Sequence, residues 1–159
     1  MNLSKIGLWT YAGKVSSNGS VTYPEIKKDV TKYGIANPIR DTRGATIWDC
    51  IYFGDYWQKD TNGDGKADKN DEKTPIKWRV LSINGNDAFI MADKNLDKKV
   101  YSEITDDVKE FSWKDSTLRS WLNGYSSEKN VVGKDFTSDN FIDEAFSKDC
   151  LLYTSDAAD

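Results

Sequence analysis

The sequence predicts an α+β domain in which an antiparallel sheet is accompanied by two short helices. Three segments rich in apolar and aromatic residues, at about 47–58, 75–84 and 87–92, alternate as strands do and are separated by acidic or turn-forming residues. Two later segments, at about 114–123 and 138–147, place apolar residues at helical spacing. Aromatic residues make up 13% of the 159 residues, which favours a packed, β-rich domain over disorder.

The chain is predicted to divide into an N-terminal hairpin and linker region at 1–44 and a main domain at 45–149. Apolar and aromatic residues approach the sequence SSNGS at 16–20 from both sides, a pattern typical of a hairpin. The polar stretch at 26–46 contains glycine and proline, which predicts an irregular connection.

The three strands of the main domain are expected to follow one another as antiparallel neighbours. Gly54 interrupts the first strand and predicts a bend or bulge. In the second strand Lys77 and Arg79 alternate with apolar residues, so we expect these two cations near solvent. Asn84-Gly85 predicts a tight hairpin turn. The residues at 88–92 are apolar on both faces, which predicts a central strand.

The first predicted helix has start and stop signals. Ser112 or Asp115 is expected to cap its N-terminus, and Gly124 occupies the place of a left-handed C-terminal cap. Trp121 belongs to the apolar stripe and is expected to pack in the core. Ser138 and Asp139 are expected to begin the second helix.

An acidic loop between the first two strands has the spacing of a calcium-binding loop, beginning with Asp-x-Asn-x-Asp-Gly. Calcium binds oxygen atoms, and alternate side chains of a tight loop can converge on one ion. Gly65 permits the sharp turn that such a loop needs. The predicted ligands are five side chains and one backbone carbonyl, from Asp60, Asn62, Asp64, Lys66 (the carbonyl), Asp68 and Asp71.

The acidic loop also departs from the EF-hand. No helix-forming segment precedes it, Pro75 follows it, and Asp71 is shorter than the glutamate that usually closes the site. The loop is more similar to a dockerin-type calcium loop, here placed between strands. We therefore predict a structural calcium site; a solvated acidic turn is the alternative, although its carboxylates would repel one another without a cation.

Composition and charge exclude several classes of function. The net charge of −4 argues against nucleic-acid binding, which needs a basic face. The absence of histidine excludes Ser-His-Asp triads, Cys-His dyads and histidine-bearing zinc sites. No apolar run approaches the roughly 20 residues that span a membrane, so we expect no membrane insertion within this chain. The N-terminus lacks the apolar core of a signal peptide, and any secretion signal is expected outside this sequence.

The last ten residues, CLLYTSDAAD at 150–159, differ in style from the rest of the chain. They resemble translated sequencing adapter, and we expect them to be an artefact tail, with the natural protein continuing past Asp149. A genuine tail is the alternative. Under the first interpretation Cys50 is the natural cysteine, and it is expected to be a buried small apolar residue.

The segments IYFGDYWQ, PIKWRVLSI and WKDSTLRSWLNGY, followed by AFS, resemble domain-of-unknown-function family 6273. The resemblance covers roughly 45–149 and implies an extracytoplasmic module of bacterial surface or secreted proteins, often with an acidic insertion in the first hairpin. It carries over no catalytic residues. A looser similarity, at the level of fold, links the chain to C-type-lectin-like proteins. Family members usually continue to a final strand that this sequence lacks, so we expect C-terminal truncation.

Three functions fit the sequence. We prefer a non-catalytic extracellular binding or adhesion module, expected to be a monomer, with calcium as a structural ion and a glycan or surface protein as partner. Trp57 or Trp113 could stack on a sugar ring. A carbohydrate-active or other enzyme that uses carboxylates is the second, although Asp106, Asp107 and Glu110 are expected to form a solvated face. A structural spacer in a multidomain surface protein is the third.

Overall fold

Antiparallel strands form one sheet in the first of two structural units. The computed structural model describes residues 10–18, 21–22, 34–106 and 110–148, and the units divide between Leu96 and Asp97. The sheet order is β2-β1-β4-β5-β6, and β3 also pairs with β4. The strands are β1 (Thr10–Ser16), β2 (Val21–Thr22), β3 (Ile39–Arg40), β4 (Thr46–Tyr56), β5 (Thr74–Asn84) and β6 (Asp87–Ala92).

The predicted strands of the main domain and the bulge at Gly54 are confirmed. The pairing of β4 with β5 shifts register between Tyr52 and Asp55, and Gly54 adopts a φ of 69°. A positive φ is costly for residues with a Cβ atom, which explains the glycine. The indole nitrogen of Trp78 donates a hydrogen bond of 2.7 Å to the carbonyl of Phe53, so the bulge is held from the neighbouring strand.

The position predicted for the 88–92 strand is wrong. Among the described residues, β6 ends the sheet, with β5 as its neighbour. Phe89 is 68% exposed and Met91 49% exposed, whereas Ala88 between the turn and Phe89 is buried. An apolar run alone does not distinguish a strand buried on both faces from an edge strand with apolar residues on its outer face.

The core of the first unit is built on β4 and β5. Cys50, Ile51 and Phe53 of β4 and Ile76 and Val80 of β5 are buried. Because neighbouring residues of a strand point to opposite faces, the sequence Cys50-Ile51 shows that β4 is covered on both sides. This explains why its apolar pattern is nearly continuous.

The cations of β5 are less exposed than the sequence predicts. The side chains of Lys77 and Arg79 are 13% and 26% exposed. Arg79 Nε lies 2.6 Å from Asp93 Oδ1, and its guanidinium lies 5.2 Å from the ring centroid of Trp48. The acid that follows β6 and the aromatic residue on β4 therefore bind this cation, a tertiary arrangement that alternation along one strand does not reveal.

The N-terminal hairpin belongs to the same sheet as the main strands. β1 pairs with β2 as predicted, and it also pairs along β4 from Thr10↔Tyr52 to Ser16↔Ile47. The structure thus groups β1 with β4 in one sheet, and both lie in the unit that extends to Leu96. The predicted boundary after residue 44 stays a prediction.

A short segment, residues 37–40, lies where β4 and β5 separate. These strands pair between Cys50 and Tyr56 of β4, and the earlier part of β4 pairs instead with β3, through Ile39↔Ile47. On the β5 side, the side-chain amide of Asn37 donates to the carbonyl of Ile83 at 3.2 Å and accepts from the N–H of Ile83 at 2.7 Å. Residues 37–40 therefore satisfy backbone groups of two strands that have separated.

The second unit contains the two predicted helices, α1 (Thr117–Asn123) and α2 (Phe141–Ala145), and short 3-10 turns at Trp113–Asp115 and Ser127–Lys129. Gly124 is confirmed as the left-handed C-cap of α1, with a φ of 67°. No helix among the described residues is long and apolar enough to cross a membrane. The predicted artefact tail at 150–159 lies outside the described residues.

The N-caps of both helices differ from the prediction. Ser116 caps α1, because its hydroxyl accepts from the backbone N–H of Arg119 at 3.1 Å. Ser112 instead donates to the carboxylate of Asp115 within the preceding turn. Asn140 caps α2 by accepting from the N–H of Asp143 at 2.9 Å. Each helix begins later in the sequence than predicted, and its N-cap is the polar residue directly before the first helical residue.

Candidate functional site

The acidic loop connects β4 to β5 and contains all the predicted calcium ligands. Asp68 and Asp71 are partly buried, and the other four residues are exposed. The loop is fastened at the sheet, where the side-chain amide of Gln58 donates to the carbonyl of Thr74 at 2.8 Å. The strand ends thus hold the two ends of the loop close together.

The carboxylate of Asp60 organises the first half of the loop. Its Oδ1 accepts from the N–H of Gly63 at 2.5 Å, and its Oδ2 accepts from the N–H of Gly65 at 2.8 Å. Gly63 and Gly65 have φ values of 83° and 89°, so the backbone doubles back twice around this one side chain. Glycine is favoured at both positions because other residues rarely adopt positive φ.

Alternate side chains of the loop accept hydrogen bonds from the backbone two residues ahead. Asn62 Oδ1 bonds the N–H of Asp64 at 2.8 Å, Asp64 Oδ1 bonds the N–H of Lys66 at 2.9 Å, and Asp68 Oδ1 bonds the N–H of Asn70 at 2.9 Å. Such turns are a common use of Asp and Asn in tight loops. Each engages one oxygen of its side chain.

Asp71 closes the loop against its beginning. Its Oδ1 accepts from the N–H groups of Thr61 and Asn62, at 2.6 and 3.1 Å, and its Oδ2 accepts from the N–H of Asp68 at 2.9 Å. The hydroxyl of Thr61 adds a fourth bond at 2.9 Å. These donors, led by the backbone of Asp68 and Thr61, lower the pKa of Asp71 to about 2.

The loop provides the donor chemistry of a calcium site without an assembled ligand cluster. Among the described residues, no group of three or more His, Cys, Asp or Glu side chains is placed so that it could hold a metal ion. The structure brings the backbone of the loop's first part to Asp71, but it does not gather Asp60, Asp64, Asp68 and Asp71 around one point. The donors are oxygen atoms, as calcium requires. Calcium coordination stays a prediction, because these carboxylates would have to move towards one point to bind the ion.

The two tryptophans predicted as sugar platforms lie in different surroundings. The ring of Trp57 is covered by cations of the acidic loop, with Lys73 Nζ 4.5 Å and Lys69 Nζ 5.8 Å from the ring centroid. Trp113 is exposed, and its ring centroid lies 6.2 Å from that of Tyr101. The accessible aromatic surface is therefore at Trp113.

Residues considered for catalysis are not brought together. Cys50 is fully buried, and desolvation raises the pKa of its thiol to about 11, so the nucleophilic thiolate is disfavoured. Asp106 and Glu110 are exposed, and Asp107 lies outside the described residues. Cys50, Asp106 and Glu110 do not line the pocket of the second unit described below.

A pocket in the second unit was not predicted from the sequence. It contains Trp121 and Phe136, and charged side chains from the segments at 99–103 and 134–139 line it. No local pattern could reveal it, because its walls come from three segments that are distant in the sequence. The apolar stripe of α1 was the one signal, since it includes Trp121.

Comparison with family models, with curated proteins and with solved structures found no match to this chain. The resemblance to family 6273 and the analogy to C-type-lectin-like folds therefore stay predictions. The α+β fold is established by the sheet and helices described above.

Proposed function

We propose that the chain is a non-catalytic binding module of the bacterial cell surface whose acidic loop binds calcium as a structural ion. The observation that carries the proposal is the calcium-loop spacing of six oxygen donors in one loop whose two ends the sheet holds close together. The residues that would hold the ion are Asp60, Asn62, Asp64, Lys66 through its carbonyl, Asp68 and Asp71.

Electrostatics supports a cation at this loop. Four aspartates fall between residues 60 and 71, and like charges this close in sequence repel one another. Backbone amides offset part of that repulsion, but the bonds of Asp64 and Asp68 described above each use a single carboxylate oxygen. A divalent cation would offset the remainder. Extracellular calcium modules bind with Kd values of roughly 10⁻⁴–10⁻³ M, which suits the proposed surface location.

Calcium binding is tested by titration calorimetry and thermal melting of chelator-treated protein. We expect a saturable heat and a melting temperature raised by several degrees, since calcium at 100 times its Kd stabilises a folded protein by about 2.7 kcal/mol. Asp64→Asn should lose most of this effect, because it keeps an oxygen for the N–H of Lys66 but removes a charge. Asp87→Asn, at an exposed acid outside the loop, makes the same charge change and should behave as the unchanged protein.

The calcium proposal is overturned by an absence of binding heat together with equal melting temperatures in calcium and in chelator. An equal loss in Asp64→Asn and Asp87→Asn would also overturn it, because the effect would then come from net charge. Turnover of a polysaccharide by the purified protein would contradict the non-catalytic part of the proposal.

A further inference from the structure

The second unit contains a pocket of about 150 Å³ that aromatic, aliphatic and charged side chains line together. Trp121 of α1 and Phe136 line it, and each is only 7% exposed. Small-molecule sites usually have volumes of roughly 300–1,000 Å³, so this pocket suits a single small ring or the end of a longer ligand.

The rim of the pocket carries charges of both signs. Lys134 Nζ lies 2.5 Å from Glu103 Oε1, and Lys99 Nζ lies 4.9 Å from the ring centroid of Trp121. Asp135 is held by the N–H and hydroxyl of Thr137, at 2.9 and 2.8 Å. With Asp139, the lining includes three carboxylates and two ammonium groups.

This mixture of charges selects against ions and favours hydroxyl groups. An anion would meet three carboxylates, and a cation would meet two ammonium groups. A hydroxyl both donates and accepts, so one hydroxyl can bond to a carboxylate while its neighbour accepts from an ammonium. Two adjacent hydroxyls can therefore bind the Glu103–Lys134 pair without separating it.

We propose that this pocket binds one neutral sugar ring, as the terminal residue of a glycan. Lysine ammonium groups lie over the rings of Trp121 and Phe136, so the sugar's C–H groups would contact the aliphatic lining at Val100 and Leu118. Its hydroxyls would bond with Glu103, Lys134 and Asp135. The inference rests on the proposed role of the chain as a binding module, but it uses no residue of the acidic loop.

An exposed aromatic surface continues from one side of the pocket. Val100 lines the pocket, and the next residue, Tyr101, has its ring centroid 5.7 Å from that of Phe111 and 6.2 Å from that of Trp113. The carbonyl of Tyr101 accepts from the N–H of Leu118 at 3.1 Å, which fixes this segment to α1. This exposed aromatic surface therefore belongs to the segment that follows a lining residue of the pocket.

The test is an NMR titration of the isotope-labelled chain with methyl glycosides of mannose, galactose, N-acetylglucosamine and N-acetylgalactosamine, in the presence of EDTA. At least one glycoside should cause saturable shifts of the Trp121 indole N–H and the Lys134 amide. Glu103→Gln should weaken that binding about tenfold, as for the loss of one hydrogen bond to a charged group. Glu128→Gln, at an exposed acid of the same unit outside the pocket, should leave the affinity unchanged.

The absence of shifts with every glycoside would overturn the inference. Saturable shifts with free glycine or lysine and none with glycosides would also overturn it, in favour of a zwitterion site. Equal weakening in Glu103→Gln and Glu128→Gln would show that the pocket is not the site. The sugar titration is carried out in EDTA and therefore does not depend on calcium. Sugar binding in a protein that calcium does not stabilise would overturn only the calcium proposal. Stabilisation by calcium without sugar binding would overturn only this inference.

Discussion

Two side chains of the first unit have pKa values shifted for different reasons, Asp71 by hydrogen bonds and Cys50 by burial. Asp71 is exposed enough to be solvated, yet four donors from its own loop hold its pKa near 2. Cys50 has the opposite situation, because it is enclosed in the sheet and desolvation raises its pKa to about 11. Asp71 is therefore an anion that fastens a loop, and Cys50 is an inert apolar side chain.

The contribution of Asp71 to loop stability should be lost in acid. Its folded-state pKa of about 2 lies below the ordinary value of 3.8, so its stabilising effect is present above pH 4 and declines as the pH falls from about 4 towards about 2. A carboxyl NMR titration should give a midpoint near 2 for Asp71. Thr61→Val removes one donor and should raise that midpoint; titration of the unchanged protein near 3.8 would contradict the hydrogen-bond account.

At the scale of elements, the end of α1 depends on close packing as well as on backbone conformation. A Cβ atom at Gly124 would lie 2.9 Å from Asn140 Nδ2. Asn140 is almost fully buried and cannot move freely, because it donates to the carbonyl of Phe136 and to Asp143. Gly124 therefore connects the C-terminus of one helix with the N-cap of the next.

Gly124→Ala should destabilise the second unit more than Gly133→Ala. Both glycines have a φ of 67°, but nothing lies within 4 Å of a Cβ atom at Gly133. We expect a loss of about 1–2 kcal/mol at Gly133 from backbone strain alone, and about 2–4 kcal/mol at Gly124, where the contact with Asn140 adds to it. Urea unfolding followed by Trp121 resonances measures both; equal losses would show that the contact with Asn140 relaxes without cost.

Sequence reasoning succeeded where structure is set locally. Alternation located β4, β5 and β6, and a positive φ at Gly54 and Gly124 explains the predicted bulge and cap. It failed where a distant partner decides the outcome. The edge position of β6, the ion pair of Arg79 with Asp93 and the segment inserted between β4 and β5 all depend on which elements meet in space.

The two candidate sites also differ in how far the sequence alone predicts them. The acidic loop is continuous in the sequence, so its spacing predicts a set of oxygen donors, but spacing could not predict that Asp71 binds the backbone of Thr61 and Asn62. The pocket around Trp121 is discontinuous. Its acids and lysines have no motif, and they become a site only when three segments fold together.

At the scale of the whole molecule, each of the two units has its own buried residues, including Ile51 in the first and Trp121 in the second. The acidic loop joins two strands of the first unit, and the backbone bonds of α1 are formed within the second. Stability contributed by a ligand need not be shared equally between such units.

Calcium should therefore protect the first unit selectively against hydrogen exchange. We expect chelation to speed amide exchange at the loop and at the adjoining ends of β4 and β5, with α1 unchanged within error. Mass-spectrometric exchange with calcium, magnesium or chelator measures this, and magnesium should protect less because it tolerates flexible sites poorly. Equal deprotection of α1 would show instead that both units unfold as one.

The segment at 37–40 also covers strand edges on which strands of other molecules could add. Where β4 and β5 separate, each would present unpaired N–H and C=O groups beside apolar side chains, the arrangement on which strands of other molecules add to build cross-β fibrils. Ile39 occupies those groups on β4, and the amide of Asn37 occupies them at Ile83 of β5. Two small contacts, both near the surface, thereby cover the strand edges where β4 and β5 separate.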